Sequence, residues 1–228
     1  MKKTTAFRHL LTAGMPLAAA LLLVNLSTSV PAAETKSAKP SVAPGELSLF
    51  DGKTLRGWKV ADFAGHGEVS VTNNQIIIGQ GVMTGIAYTN TDLPQIDYEV
   101  SLQAQRVEGS DFFCALTFPV KEDVCTLVVG GWGGGLVGLS CLDGQDAANN
   151  ETTTSMAFTN GLWYDIRLRV TSTNLQAWID DERLVNVGTK DRKISIRWEC
   201  EPCKPFGVAT WSTTGAVRKI RVRRLDEK

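Results

Sequence analysis

Asp97-Tyr98-Glu99-Val100-Ser101-Leu102-Gln103-Ala104 alternates polar and apolar residues without a break. Successive side chains of an extended chain point to opposite faces. Tyr98, Val100, Leu102 and Ala104 therefore share one face, and Asp97, Glu99, Ser101 and Gln103 the other. The stretch predicts a strand whose sheet is buried on one side. Asp165 to Thr171 repeats the pattern, with Ile166, Leu168 and Val170 set against Arg167, Arg169 and their polar neighbours. Shorter strands are expected at Val69–Val71, Gln75–Ile78, Phe112–Phe118, Cys125–Val129, Leu136–Leu142 and Phe206–Trp211. Between them lie Asn73-Asn74, Asp143-Gly144, Asn160-Gly161 and the glycine-rich run Gly130 to Gly135, all of them turn chemistry. No apolar stripe of helical period lasts three turns. Many short, evenly spaced strands predict an all-β sandwich.

The chain has 228 residues. Lys2, Lys3 and Arg8 precede an apolar run from Leu10 to Leu26, and Val30-Pro31-Ala32-Ala33 offers small residues for cleavage. Residues 1–33 thus read as a secretory signal peptide, which places the mature protein in the periplasm, at the cell surface or outside the cell. A retained membrane anchor is the alternative, but Gly14, Pro16 and Asn25 interrupt the run, which falls short of about 20 unbroken apolar residues. No later run is long enough to span a bilayer. Residues 34–45 are rich in Lys, Ser, Ala and Pro and read as a flexible linker. Residues 46–228 are expected to form one domain with a single core.

The sequence balances 24 Lys and Arg against 24 Asp and Glu, and loss of the leader leaves 21 against 24. That gives no electrostatic basis for binding nucleic acid. The basic run from Arg218 to Arg224 alternates with Ile220 and Val222 and reads as the wet face of a strand. Five cysteines in an exported chain invite disulfides and leave at least one thiol unpaired. Cys200-Glu201-Pro202-Cys203 has the spacing of a redox or zinc pair, but no second such pair accompanies it. A local disulfide or two loop thiols are the other readings.

The middle of the chain can be set in register. With Cys114 opposite Cys125, and Cys125 opposite Cys141, one face carries Cys114, Leu116, Phe118, Cys125, Leu127, Val129, Val137, Leu139 and Cys141. That face is core, and a cross-strand disulfide would join Cys125 to Cys114 or Cys141. The other face carries Phe113, Ala115, Thr117, Thr126, Val128, Gly138 and Ser140. Small side chains on a curved sheet leave room for a ligand groove, or for a covering loop.

Three segments carry a family resemblance. Leu49-Phe50-Asp51-Gly52-Lys53-Thr54-Leu55-Arg56-Gly57-Trp58 is an apolar pair, an Asp-Gly turn and a Trp plug. Leu175 to Val185 places Trp178 before an acidic turn, and Gly207 to Leu225 supplies a Gly-x-x-x-Trp-Ser strand and a closing strand. In order and spacing, from about Leu47 to Leu225, these segments resemble the 3-keto-disaccharide hydrolase-like family. The resemblance implies a concanavalin-A-like (laminin-G-like) jelly roll: two curved antiparallel sheets, the concave one holding a carbohydrate ligand. It also implies hydrolysis of a sugar oxidised at C3. The ketone acidifies the C2 proton, a base removes it, the C1 glycosidic oxygen leaves, and water adds back. In the family the strand here at Val137 to Asp143 typically reads Glu-x-Gln-x-x-Asp, whereas this chain has Gly138, Ser140 and Asp143.

The candidate catalytic residues are Asp143, Glu151 and His66. The two carboxylates lie in the oxygen-rich loop Asp143 to Glu151, which is either a solvated loop or a catalytic or hard-cation loop. Asp143 and Asp146 are the candidate metal ligands, for Ca²⁺ or another divalent cation, though the spacing does not match the twelve-residue calcium loop. His66, between Gly65 and Gly67, is either exposed or a proton shuttle. Trp132, Trp178, Ser140 and Thr117 are the candidate substrate-binding residues. Trp132 sits among glycines as a turn plug or a platform for a sugar face, and Trp178 faces a groove or the second sheet. Trp58, Trp163, Trp198 and Trp211 read as structural. Asn150-Glu151-Thr152 is a glycosylation sequon, meaningful in a eukaryotic secretory pathway. Three functions fit these residues: a hydrolase of 3-keto-glycosides, a non-catalytic carbohydrate-binding module, and a surface interaction domain without a sugar ligand.

Overall fold

The computed structural model describes residues 45–225. The expected leader and all of the linker except Gly45 lie outside them. Among the described residues no helix is long and apolar enough to cross a membrane.

Fifteen strands and one 3-10 helix make up the domain. The first five strands are β1 (Glu46–Ser48), β2 (Trp58–Val60), β3 (Val69–Thr72), β4 (Gln75–Ile78) and β5 (Met83–Tyr88). Then come β6 (Tyr98–Glu108), β7 (Cys114–Val120), β8 (Asp123–Gly131), β9 (Leu136–Ser140) and β10 (Thr154–Ser155). The last are β11 (Trp163–Val170), β12 (Asn174–Ile179), β13 (Glu182–Gly188), β14 (Gly207–Trp211) and β15 (Thr214–Arg224), with the 3-10 helix at Trp198–Cys203. They form two antiparallel sheets. One runs β13-β12-β11-β6-β15-β4-β3, with β1 also on β15; the other runs β10-β9-β8-β7-β14-β5-β2. This is the expected all-β jelly-roll sandwich.

The alternation of β6 decides how the sheets meet. Tyr98, Val100, Leu102 and Ala104 are buried, and β11 lies beside them with Leu168 opposite Val100 and Ile166 opposite Leu102. From the facing sheet, Leu116, Phe118, Leu127, Val129 and Leu139 complete the core. The buried Tyr98 hydroxyl reaches across it and donates to the Pro119 carbonyl at 2.6 Å. At the entrance to the domain, Asp51 accepts from the Lys53 and Thr54 amides and the Thr54 hydroxyl, each at 2.7 Å. Those donors, led by the Lys53 amide, hold its carboxyl at about 2. The turn so fixed seats Trp58, whose Nε1 donates to the Leu49 carbonyl at 2.7 Å while its ring meets Tyr88 edge-on.

Several expectations are corrected. Cys114 pairs with Val129 and Cys125 with Phe118, because β7 and β8 turn tightly at Lys121 and Glu122. The shift of four residues is even, so every side chain keeps its expected face. Phe113 is the exception: β7 begins after it, and its ring is buried in the core against Phe158 and Tyr164. All five cysteines are buried free thiols. Burial pushes those of Cys114 and Cys125 up to about 12. Strand β5 had no sequence signal, since Met83 to Ala87 are buried on both faces and do not alternate.

The outer face of the first sheet carries the basic run. Glu99 accepts from Arg169 at 2.9 Å and from Arg223 at 3.1 Å, with Arg167 at 3.4 Å. Arg167 stacks on Trp178 at 3.9 Å and Arg218 on Trp163 at 3.9 Å. Burial works against the Glu99 charge, but the hydrogen bonds from Arg169 and Arg223 outweigh it and hold its carboxyl below the ordinary 4.5.

Tyr98→Phe is expected to lower stability by about 1–2 kcal/mol in urea unfolding, because the buried Pro119 carbonyl loses its inter-sheet donor. Glu99 is lower in the folded state than in the unfolded chain, so its contribution is complete above the ordinary carboxylate value of 4.5. It is lost as pH falls through the depressed folded value. Thermal melts across that acid interval are expected to fall less steeply in Glu99→Gln than in the wild type.

Candidate functional site

Strands β7, β8 and β9 are buried on their second face as well as on the core face. Two covers close over that second face, and glycines mark where they touch it. A Cβ on Gly138 would lie 2.8 Å from the Ala147 carbonyl oxygen, so the loop Asp143–Glu151 rests directly on β9. A Cβ on Gly207 would lie 2.7 Å from the Cys203 carbonyl oxygen, so the 3-10 helix rests on β14. Between the covers the small side chains leave a cavity of about 260 Å³. Ala115, Thr126, Val128 and Ser140 line it from the sheet, and Met83, Phe112, Trp132 and Trp211 add apolar walls. Its charged lining is Asp111, Arg197 and Glu199, with Cys200 beside them. An apolar pocket with a few converging polar groups is the usual form of a ligand site, and this one is slightly smaller than the usual range of about 300–1,000 Å³.

Each charged group is positioned. Arg197 grips Glu199 with two donors, Nη2 at 2.5 Å and Nε at 3.1 Å, and reaches Asp146 with Nη1 at 3.1 Å. The Arg197 hydrogen bonds hold the Glu199 carboxyl below its ordinary range, so it stays ionised at neutral pH. Asp111 accepts from its neighbour Phe112 N at 2.7 Å and from Gly133 N at 3.2 Å. The Trp132 loop is also held from beneath. Buried Arg106, on β6, donates to the Gly134 carbonyl at 3.1 Å, the Phe158 carbonyl at 2.6 Å and Asn160 Oδ1 at 2.6 Å.

The sequence-predicted residues divide. Trp132 and Ser140 line the cavity; Thr117 lies fully buried under it, its hydroxyl 3.2 Å from that of Thr126. Asp143 and Glu151 do not line the cavity. They lie on the exposed side of the loop, where Arg192 bonds both and Lys193 N donates to Asp143 at 2.8 Å. The Lys193 amide and then Arg192 lower the Asp143 carboxyl; a backbone amide and then Arg192 lower that of Glu151. Asp146 is spent on the Ala148 amide, the Asn149 side chain and Arg197. Asp143 and Asp146 therefore do not fit a shared cation, their oxygens being taken by donors. Among the described residues no three His, Cys, Asp or Glu side chains gather as metal ligands. His66 is exposed, its Nδ1 2.9 Å from the Gly67 carbonyl oxygen, and it does not line the cavity. Trp178 is corrected outright: it lies on the outer face of the other sheet, beneath Arg167. In the sequon, Asn150 Nδ2 donates to the Leu139 and Asp146 carbonyls, which ties the loop to β9.

Sequence reasoning missed Asp111, Arg197, Glu199 and Trp211. Trp211 shares a face with Ala209, opposite Ala115, and so was visible only once β14 was paired with β7. Arg197-Trp198-Glu199 had a weak signal, a charged and aromatic triplet outside any strand pattern. Trp198 and Trp211 are exposed, 79% and 38%, against the structural roles expected of them.

The model of the 3-keto-alpha-glucoside-1,2-lyase-like domain matches residues 45–223. The chain belongs to this family, and its fold is that of carbohydrate-active proteins. Among curated proteins no sequence matches. Among solved structures, a Parabacteroides distasonis protein proposed to be a glycosyl hydrolase is 15% identical, with TM-score 0.52 over 81% of this chain and 95% of its own. The Crh5 transglycosylase is 13% identical, with TM-score 0.54 over 80% and 84%. Domain 4 of the arabinanase AbnA from Geobacillus stearothermophilus, solved with arabinotriose, is 12% identical, with TM-score 0.51 over 79% and 91%. At these identities the likeness is one of fold.

Placing at Gly138 the Glu that the resemblance implies, by Gly138→Glu, is expected to destabilise the domain by about 1–3 kcal/mol in chemical unfolding, since the side chain must displace Ala147.

Proposed function

We propose that this protein is an exported carbohydrate-active enzyme, with residues 1–33 as its leader, and that its cavity takes the oxidised ring of a 3-keto-glycoside. The observation that carries this reading is the pairing of two exposed indoles, Trp132 and Trp211, with the Arg197–Glu199 ion pair around one cavity. Indoles stack on the C–H faces of sugars, and a guanidinium donates to ring oxygens.

The reaction follows from the ketone. Glu199, ionised and weakly basic, removes the C2 proton that the C3 carbonyl has already acidified. The electron pair moves toward the C3 oxygen, where the Arg197 guanidinium stabilises the enolate. Its return forms the C1–C2 double bond and expels the C1 oxygen, which leaves with a proton from water. The hydroxide so formed adds to C1 and Glu199 returns its proton to C2, which completes hydrolysis with one water consumed and the base regenerated. Ser140 and Thr126 offer hydroxyls to the ring. No pair of glycosidase carboxylates is required.

A second reading, a non-catalytic sugar-binding module, is favoured by one observation. Gly138 stands where the resemblance implies a Glu, and Ala147 fills the space above it. A surface interaction domain without a ligand is disfavoured by the open cavity.

The test is aglycone release from a 3-keto-glucoside. In the enzyme, Glu199→Gln is expected to lower kcat by about 10²–10⁴, while Trp211→Ala raises KM. Asp143→Asn is expected to stay near the wild-type rate. Saturable binding without release in the wild type would replace the enzyme with the binding module. Neither binding nor release would remove both.

A further inference from the structure

The outer face of the first sheet carries chemistry that the cavity does not use. Strands β15, β6 and β11 lie side by side, and residues directly opposite one another share a face. Three rows result: Arg223–Glu99–Arg169, Arg221–Ser101–Arg167 and Arg218–Gln103–Asp165. Five guanidiniums there face two carboxylates, while the whole chain balances 24 basic against 24 acidic residues. Positive charge is therefore concentrated on this face. No lysine stands in the rows, and arginine is the cation whose planar fork matches a carboxylate.

The first row shows what that fork does. Glu99 lies between guanidiniums from both neighbouring strands. It accepts from Arg169 Nε at 3.1 Å and Nη2 at 2.9 Å, and from Arg223 Nη2 at 3.1 Å. The second row has the same flanking pair, but its centre is the uncharged Ser101. Arg221 gives one donor to Glu46 at 3.2 Å, and Arg167 gives one to Glu99 at 3.4 Å. Neither makes another side-chain hydrogen bond among the described residues. Arg167 is also held flat on Trp178 at 3.9 Å, so little freedom is lost when it binds.

The surroundings narrow the partner. Gln176 and Asn186 continue the first row with amides, which donate to and accept from hydroxyl groups. None of the exposed large apolar side chains stands in the three rows, so they lack the apolar anchor of a membrane contact. Trp163 and Trp178 lie under guanidiniums and are not bare platforms for nucleic-acid bases.

We propose that this face binds a carboxylate-bearing polysaccharide, with a uronate carboxylate seated between Arg221 and Arg167 over Ser101, as Glu99 is seated between Arg223 and Arg169. The surface belongs to the other sheet from the cavity and does not rest on the function proposed above.

The experiment is calorimetric titration of the protein with polygalacturonate, its methyl ester, polyglutamate and phosphatidylglycerol vesicles. Polygalacturonate is expected to bind, more weakly as salt is raised, and the uncharged ester at least about tenfold more weakly. Arg221→Gln is expected to weaken polygalacturonate binding about five- to tenfold, the scale of one charge-assisted hydrogen bond. Ser101→Glu supplies the carboxylate from within and is expected to weaken binding at least as much, with the fold intact by circular dichroism. Arg56→Gln makes the same change in net charge at the domain entrance and is expected to leave binding unchanged. Equal losses in Arg56→Gln and Ser101→Glu would overturn the inference, because net charge alone would then govern. So would binding indifferent to both Arg221→Gln and Ser101→Glu, or an ester bound as tightly as the acid. Tighter binding of polyglutamate or of the vesicles would give the face to a protein or a membrane instead, and absence of polygalacturonate binding would remove the site.

Discussion

Strands β7, β8 and β9 are buried on both faces, and that double burial constrains everything built around them. A sheet face turned away from the core must be solvated, covered or left as a pocket. Here it is covered at both ends and open in the middle. Gly138 and Gly207 let backbone approach where a Cβ would collide, while Ala115, Thr126 and Ser140 are too small to fill the gap between. The cavity is thus a property of side-chain size along three strands, fixed by close packing around it. The Tyr98 hydroxyl reaching Pro119 holds that sheet to its partner from the core side.

Guanidinium groups do most of the loop positioning. Arg106 takes three acceptors from two loops and so fixes the segment that displays Trp132. Arg197 joins the 3-10 helix to the Asp146 loop. Arg192 ties Asp143 and Glu151 on the outside. Arg106 and Arg197 meet acceptors from separate segments and Arg192 the two ends of one loop, tasks suited to a rigid fork of donors. One consequence is that the acidic loop, which looks rich in chemistry as a string of letters, is largely spent on its own architecture. The charges left at the cavity come instead from residues outside the strand pattern.

Membership of the family and the glycan-associated fold of its structural neighbours agree on architecture. The residues that act are this chain's own: Gly138 stands where the resemblance implies a Glu, and the Ala147 loop lies over it. The functional reading therefore rests on groups that this chain places at the cavity, not on positions inherited from the fold.

The sequence by itself determined the strands whose two faces differ in polarity. Tyr98 to Ala104 and Asp165 to Val170 were legible because a half-buried sheet writes its geometry into a period of two. The faces of β7, β8 and β9 were legible too, and they survived a misjudged turn because the register error was even. Strand β5 was not legible, since burial on both sides erases the alternation. Of the candidate site, Trp132 was reached from local composition and Ser140 from the predicted strand face. Asp111, Arg197, Glu199 and Trp211 were not, because their common cavity exists only when β14 pairs with β7 and the 3-10 helix closes over it. Trp178 shows the same limit: its strand was right, but which side of which sheet it faced was a tertiary fact. Local pattern reports what one strand buries; only the packing of distant segments decides which side chains share a space.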